Sequence, residues 1–135
     1  MKVYTALNEM SNATLVGIVL TTEDNAIIFK NGFKLTIQDK VSAHTYGLKR
    51  CLSYIKSKDM HVEHITHKLQ DNVRVDIDRE MNDRINADLY IERFIQKGVS
   101  IIATNKELTQ VDRDMISQAS FEISSNNFKK GYERY

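Results

Sequence analysis

The spacing of apolar residues changes once near the start of the chain, and this change restricts the fold more than any other feature of the sequence. Up to Ile37, apolar and β-branched residues form short runs or alternate with polar ones, as in β-strands. After Asp39 they recur at the three-to-four-residue spacing of a helix. We predict a three-stranded antiparallel meander followed by a helix. The first two strands span Val3–Leu7 and Thr14–Thr21, and the third region comprises Ala26–Phe29 and Phe33–Ile37. The helix spans Ser42–Ser57.

One dipeptide leaves the third strand open to two interpretations. Asn31–Gly32 is compatible with a hairpin turn or with a bulge inside one long strand.

The rest of the chain alternates strands with helices. "HVEHITH" (61–67) predicts a fourth strand, and apolar residues spaced along 77–97 predict one long helix that ends at Gly98. "VSIIAT" (99–104) predicts a fifth strand, which its continuous apolar run indicates is covered on both faces. "TQVD" (109–112) is typical of a capping box that opens a last helix. The order βββαβαβα predicts an α/β fold with a mixed five-stranded sheet and helices on both faces.

Composition bounds the class of protein. The chain has 135 residues, 41% hydrophobic and 27% charged, which suits a single domain over 1–135 with 124–135 as a C-terminal tail. Apolar runs stay well below the ~20 residues of a membrane span, and the first ten residues lack the apolar core of a signal peptide. With a single cysteine, Cys51, on the helix stripe, we expect a cytoplasmic chain with a buried thiol and no membrane partner.

A net charge of +1 means that any nucleic-acid contact must come from a local patch.

The stretch "AHTYGLKRCL" (43–52), on the predicted first helix, matches the helix pattern of a known protein superfamily. The first helix of the ribonuclease H superfamily carries a pattern like A-E-x-x-A-L-x-x-x-L. Here Ala43, the small residue Gly47, Leu48 and Leu52 match it, and His44 stands at the family's catalytic glutamate. The chain therefore resembles that superfamily over most of its length, and the resemblance implies a ribonuclease H-like fold.

The resemblance also implies where the other family carboxylates would lie. The aspartate of the first strand corresponds to Ala6, and the aspartate that ends the fourth strand corresponds to His67. In the last helix, "RDMISQA" keeps the family aspartate as Asp114. One of four carboxylates survives, so no catalytic residue is expected among Ala6, His44, His67 and Asp114.

The metal chemistry of the family does not suit this set. Its reaction uses two Mg²⁺ ions, which require oxygen ligands, and His44 and His67 offer nitrogen. We therefore expect no Mg²⁺ and no cofactor. Two alternatives stay open: His44, His67 and Asp114 could hold Zn²⁺ or Fe²⁺, or the histidines are polar replacements that hydrogen-bond to one another, to Asp114 or to water.

Basic residues predict a nucleic-acid surface on the third strand and the first helix. Lys30, Lys34, Lys49 and Arg50 are the candidate phosphate contacts, with a solvated lysine-rich face as the alternative. The C-terminal "NNFKKGYERY" (126–135) interleaves aromatic and basic residues, which fits single-strand binding, a frayed end or a protein contact.

Three functions are compatible with these observations. The leading expectation is a ribonuclease H-like protein that has lost hydrolysis and binds an RNA/DNA hybrid or a single strand. The alternative from another class is a protein-interaction module built on the same scaffold. The third is a metal-dependent nuclease with a substituted His/His/Asp site.

Overall fold

The computed structural model describes residues 1–70, 76–124 and 129–130. The elements in chain order are β1 (Lys2–Glu9), β2 (Thr14–Thr21), β3 (Ile27–Leu35), α1 (Lys40–Ser57), β4 (His64–Leu69), α2 (Ile77–Ala87), α3 (Leu89–Gln96), β5 (Ser100–Thr104), α4 (Gln110–Phe121) and β6 (Lys129–Lys130). None of the helices in these ranges is both long and apolar enough to span a bilayer.

The strands form one mixed sheet in the order β5-β4-β1-β2-β3-β6. β1, β2 and β3 pair antiparallel, and β4 and β5 are added in parallel, so the predicted five-stranded arrangement is confirmed. The two-residue strand β6 extends the sheet beyond β3, within the segment predicted as a tail. Asn31 and Gly32 lie inside β3 and pair with Ile18 and Gly17, so the third strand is continuous and "NG" is not a hairpin turn.

Alternation along the strands gives the sheet two different faces. The larger core lies between the sheet and α1, where Leu48 and Leu52 are fully buried as their spacing predicts. Cys51 is buried with them, and burial raises the pKa of its thiol. A smaller core lies under α4 and contains Tyr4, Ala6, Val19, Ile116 and Ala119.

α4 packs close to the sheet because the residue of β2 that faces it is a glycine, Gly17. A Cβ atom at Gly17 would lie 1.8 Å from the carbonyl oxygen of Ala119. The predicted capping box at the start of α4 is confirmed, since the Thr109 hydroxyl accepts from the backbone N–H of Asp112 at 3.1 Å and the Thr109 N–H donates to the Asp112 carboxylate at 3.0 Å.

The single long helix predicted over 77–97 is wrong, because Asp88 divides it into α2 and α3. Its side chain accepts hydrogen bonds from the backbone N–H groups of Tyr90 and Ile91, at 2.9 and 3.0 Å, and so caps a new helix. Asp88 also forms an ion pair with Lys49 of α1. The hydrogen bonds of this cap therefore begin a new helix at a point where the apolar spacing alone would continue the first one.

The expectation that β5 is covered on both faces is also wrong. β5 is the last strand of the sheet, and Ile102 on it is 50% exposed. Its outer edge is held by α2: the Asn82 amide donates to the carbonyl of Ala103 at 2.9 Å and accepts from the Ala103 N–H at 2.8 Å.

Candidate functional site

β1, α1 and β4 bring Thr5, His44 and His67 together on the α1 side of the sheet. The Thr5 hydroxyl lies 2.6 Å from Nδ1 of His44 and 2.8 Å from Nε2 of His67. The two imidazole rings cross at 71° with their centroids 6.2 Å apart. We call these three residues the Thr–His–His cluster.

The cluster is closed to solvent. All three residues are 0% exposed. Burial lowers the pKa of His44 to about 3, with a smaller effect from the positive charge of Lys40. Burial, and secondarily His44, holds the pKa of His67 well below its usual range. Both imidazoles are therefore neutral at physiological pH.

A hydroxyl between two neutral imidazoles restricts the positions of the protons. If the Thr5 hydroxyl donates to one histidine, the other must donate to the Thr5 oxygen, since each neutral ring carries one N–H. The outer atoms, Nε2 of His44 and Nδ1 of His67, are buried and have no hydrogen-bond partner among the described residues. In that arrangement one of them is an unpaired N–H, which costs about 1 to 3 kcal/mol.

The structure does not bring Ala6 and Asp114 to the histidines. Ala6 faces the opposite side of the sheet, in the core under α4, because it is one residue out of phase with Thr5. Asp114 is exposed on α4, where its carboxylate accepts from the Gln110 side chain at 2.9 Å. A metal set or a hydrogen bond that joins Asp114 to the histidines is therefore corrected: His44 lies in a closed interior and contacts Thr5, away from Asp114.

The donor set of the cluster does not fit the two Mg²⁺ ions of the family reaction. Its one oxygen is the Thr5 hydroxyl, and its other polar atoms are imidazole nitrogens, whereas Mg²⁺ requires several oxygen ligands. A substituted Zn²⁺ or Fe²⁺ site would need a third strong ligand, and no group of three His, Cys, Asp or Glu side chains in the described ranges is arranged to hold an ion. The hydroxyl–imidazole contact resembles an activated nucleophile, but the Thr5 hydroxyl is closed to solvent.

A cleft lies just beyond the cluster, at the carboxyl ends of β1 and β4. It has a volume of about 190 Å³ and is lined by Leu7, Asn8, Glu9, Lys40 and Gln70. Among the described residues of its lining Glu9 is the one acidic side chain, and the Gln70 side chain accepts from the backbone N–H of Leu7 at 2.9 Å. The described lining thus offers one carboxylate, which is fewer oxygen ligands than two divalent ions require.

Sequence reasoning missed a second polar cluster, on the α4 side of the sheet. The buried carboxylate of Asp112 accepts from the Tyr4 hydroxyl at 3.0 Å and from the Lys68 ammonium at 3.2 Å. Burial alone raises the pKa of Asp112, but hydrogen bonds from Thr109, Tyr4 and Lys68 outweigh it and lower the pKa. Burial and the Asp112 carboxylate raise the pKa of Tyr4. The capping box was the available signal, because it places Asp112 in the first turn of α4.

The four predicted phosphate contacts do not share one surface. Lys30 and Lys34 are exposed and pair across the strands with Val19 and Leu15, on the face that carries α4. Lys49 and Arg50 belong to α1 on the other face.

Those two α1 residues are also engaged within the protein. Lys49 pairs with Asp88, and the Arg50 guanidinium lies 4.6 Å from the centroid of the Phe33 ring. The aromatic residues of the C-terminal stretch, Phe128, Tyr132 and Tyr135, lie outside the described residues.

Comparison with known proteins shows the fold alone. No family model and no curated protein matches the sequence. Among solved structures, the chain is similar to ribonuclease H1 of the halophilic archaeon Halobacterium salinarum, at 15% identity and a TM-score of 0.53, covering 91% of this chain and 96% of that one.

Two other structures give the same result. LC11-RNase H1 in complex with an RNA/DNA hybrid has a TM-score of 0.56 at 12% identity, covering 92% of this chain and 99% of that one. The foamy viral protease-reverse transcriptase in complex with double-stranded DNA has a TM-score of 0.51 at 11% identity, covering 90% of each chain. The fold is therefore ribonuclease H-like, as the first helix and the order of elements indicated.

Proposed function

From this ribonuclease H-like fold we propose that the chain binds nucleic acid, with an RNA/DNA hybrid as the first candidate, and does not hydrolyse it by the two-metal reaction. The observation that argues against hydrolysis is the Thr–His–His cluster, a closed and neutral group between β1, β4 and α1. The resemblance places His44 and His67 at two of the family's metal-binding carboxylates.

The charge balance of the cluster supports the absence of hydrolysis. Four carboxylates neutralise two divalent ions in the family reaction, whereas two neutral imidazoles and a hydroxyl provide no negative charge. Asp114, which by the resemblance corresponds to the fourth family carboxylate, accepts a hydrogen bond from Gln110 at the surface.

The fold and two exposed lysines support binding. LC11-RNase H1, which shares the fold, was crystallised with an RNA/DNA hybrid. On this chain, Lys30 and Lys34 are the exposed members of the predicted basic set, and neither forms an ion pair with any residue of the described ranges. We therefore assign the phosphate contacts to the β3 surface rather than to Lys49 and Arg50.

Hydrolysis is tested with a labelled hybrid and Mg²⁺ or Mn²⁺. We expect no cleavage of the RNA strand that depends on Asp114. Because trace cleavage can come from a contaminating host enzyme, the parent is compared with an equally pure Asp114→Asn variant. Activity that this substitution abolishes would contradict the proposal.

Binding is tested by fluorescence anisotropy with the same hybrid over a range of salt concentrations. Affinity should fall steeply with salt, and Lys30→Ala with Lys34→Ala should lower the slope of log K against log salt by about 2. Lys106→Ala, at an exposed lysine after β5 that pairs with Asp78, is the control and should leave the slope unchanged. Absence of salt-sensitive binding would favour the alternative, a protein-interaction module on the same scaffold.

A further inference from the structure

A cavity of about 260 Å³ lies at the far end of α1 from the Thr–His–His cluster. It is open to solvent on one side and is lined by the last turn of α1, by α3 and by the segment that leads into β4. The cavity begins at Ile55, eleven residues after His44 on the same helix, which corresponds to roughly 16 Å along the axis. It is therefore separate from the family's metal position.

The inner wall of the cavity is apolar and partly aromatic. Ile55 and Ile65 are buried at its base, and Val99 is half-buried beside them. The rings of Tyr90 and Phe94, 5.5 Å apart and tilted by 59°, form one side. Such a wall accepts a flat ring by stacking and by burial of apolar area.

The rim carries an excess of positive charge. Lys56, Arg93 and Lys97 line the cavity, and none of the three side chains has an ion-pair or hydrogen-bond partner within residues 1–70, 76–124 and 129–130. His61 is also at the rim, where its ring is 86% exposed, and Asp59 is the one acidic residue among the described residues of the lining. Three cations around an apolar cavity favour an occupant that is negatively charged at one end.

We propose that this cavity binds a small aromatic anion: one or two flat rings held against Tyr90 and Phe94, with a carboxylate, sulfonate or phosphate at Lys56, Arg93 and Lys97. The volume sets the size, because it lies just below the 300 to 1,000 Å³ typical of sites for drug-sized ligands. The proposal is independent of nucleic-acid binding, which uses the β3 surface.

The test uses two fluorescent probes of nearly the same shape. 8-Anilinonaphthalene-1-sulfonate carries an anionic group, and N-phenyl-1-naphthylamine is its neutral counterpart. Titrated into the folded protein, the sulfonate should bind saturably at one site, and about threefold to tenfold more tightly than the neutral probe, as one or two partly exposed ion pairs allow.

Three variants locate the site. Arg93→Glu with Lys97→Glu should weaken sulfonate binding by tenfold or more and leave the neutral probe unchanged, whereas Lys30→Glu, at an exposed lysine on β3, should change neither. Val62→Trp, which fills the cavity from the segment before β4, should weaken both probes. Circular dichroism melts confirm that each variant is folded. Equal affinity for the two probes, no saturable binding, or unchanged sulfonate affinity in the double charge reversal would overturn the proposal.

Discussion

The two buried histidines predict that the protein loses stability in mildly acidic solution. In the folded state both imidazoles are held neutral, because burial lowers the pKa of His44 to about 3 and that of His67 well below its usual range. In the unfolded state both rings regain the ordinary pKa of about 6.5. Between these values the unfolded chain binds more protons than the folded one, so the free energy of unfolding falls as the pH is lowered.

The magnitude follows from the size of that window. The contribution of the neutral histidines to the free energy of unfolding is fully present above about pH 7. Well below pH 6.5 it falls by about 1.4 kcal/mol per pH unit for each histidine. For two histidines the loss between pH 7.5 and pH 5.5 is about 3 kcal/mol, a large share of the 5 to 15 kcal/mol of a typical domain. Carboxylates with lowered pKa values, Asp39 and Asp112 among them, contribute at lower pH, so the range from pH 5 to 7 isolates the histidines.

Urea unfolding followed by circular dichroism at half-unit pH steps measures the effect. His44→Asn and His67→Gln each keep a polar atom where the imidazole contacts Thr5, and each should remove about half of the pH slope. His61→Gln, at a ring that is 86% exposed, is the matched control and should retain the parent slope. A parent protein whose stability is flat from pH 7 to pH 5 would refute the burial of neutral imidazoles.

Three substitutions test the packing around the site. Leu48→Ala removes a fully buried side chain from the α1 core and should cost about 2 to 5 kcal/mol; an unchanged melting temperature would contradict the assigned helix face. Gly47→Ala should destabilise the protein despite the higher helix propensity of alanine, because the new Cβ would lie 2.8 Å from the Thr5 methyl group. A gain in stability in urea unfolding would show that α1 can move away from β1. Asp112→Ala should lower the free energy of unfolding by about 2 to 4 kcal/mol, since it removes the capping box and leaves Tyr4 and Lys68 without their shared acceptor. Asp114→Ala, at an exposed position of the same helix, is the control. An equal loss in the two variants would show that the Asp112 cluster does not stabilise the fold.

The order of elements could be predicted because patterning and turns agree along most of the chain. The alternation up to Ile37, the stripe of α1 and the capping box at Thr109 each indicated the element that the structure contains. The division at Asp88 could not be obtained from periodicity, because apolar residues keep helical spacing across it. The remaining signal was the aspartate itself, which is a preferred N-cap residue but also occurs on exposed helix faces.

The candidate site was predictable in part, for a reason that lies in β1. His44 and His67 came together as the resemblance implied, whereas Thr5 was not identified. In "VYTAL" both faces of the strand are occupied by residues that bury well, so alternation does not show which residue faces α1. A one-residue shift in phase exchanges Thr5 for Ala6, and only the packing of α1 and α4 on opposite faces determines which residue meets the histidines.

The contact between Asn82 and Ala103 occupies one backbone pairing position on β5, the edge strand of the sheet. A terminal strand with outward-pointing N–H and C=O groups is a template on which a second molecule can add a strand, and the exposed Ile102 would favour such an addition. The Asn82 amide supplies one donor and one acceptor to Ala103, as a neighbouring strand would, and so occupies that pairing position with a side chain of the same molecule. Because the amide comes from a helix, it ends the ladder instead of extending it, and polymerisation along this edge has no starting point at Ala103.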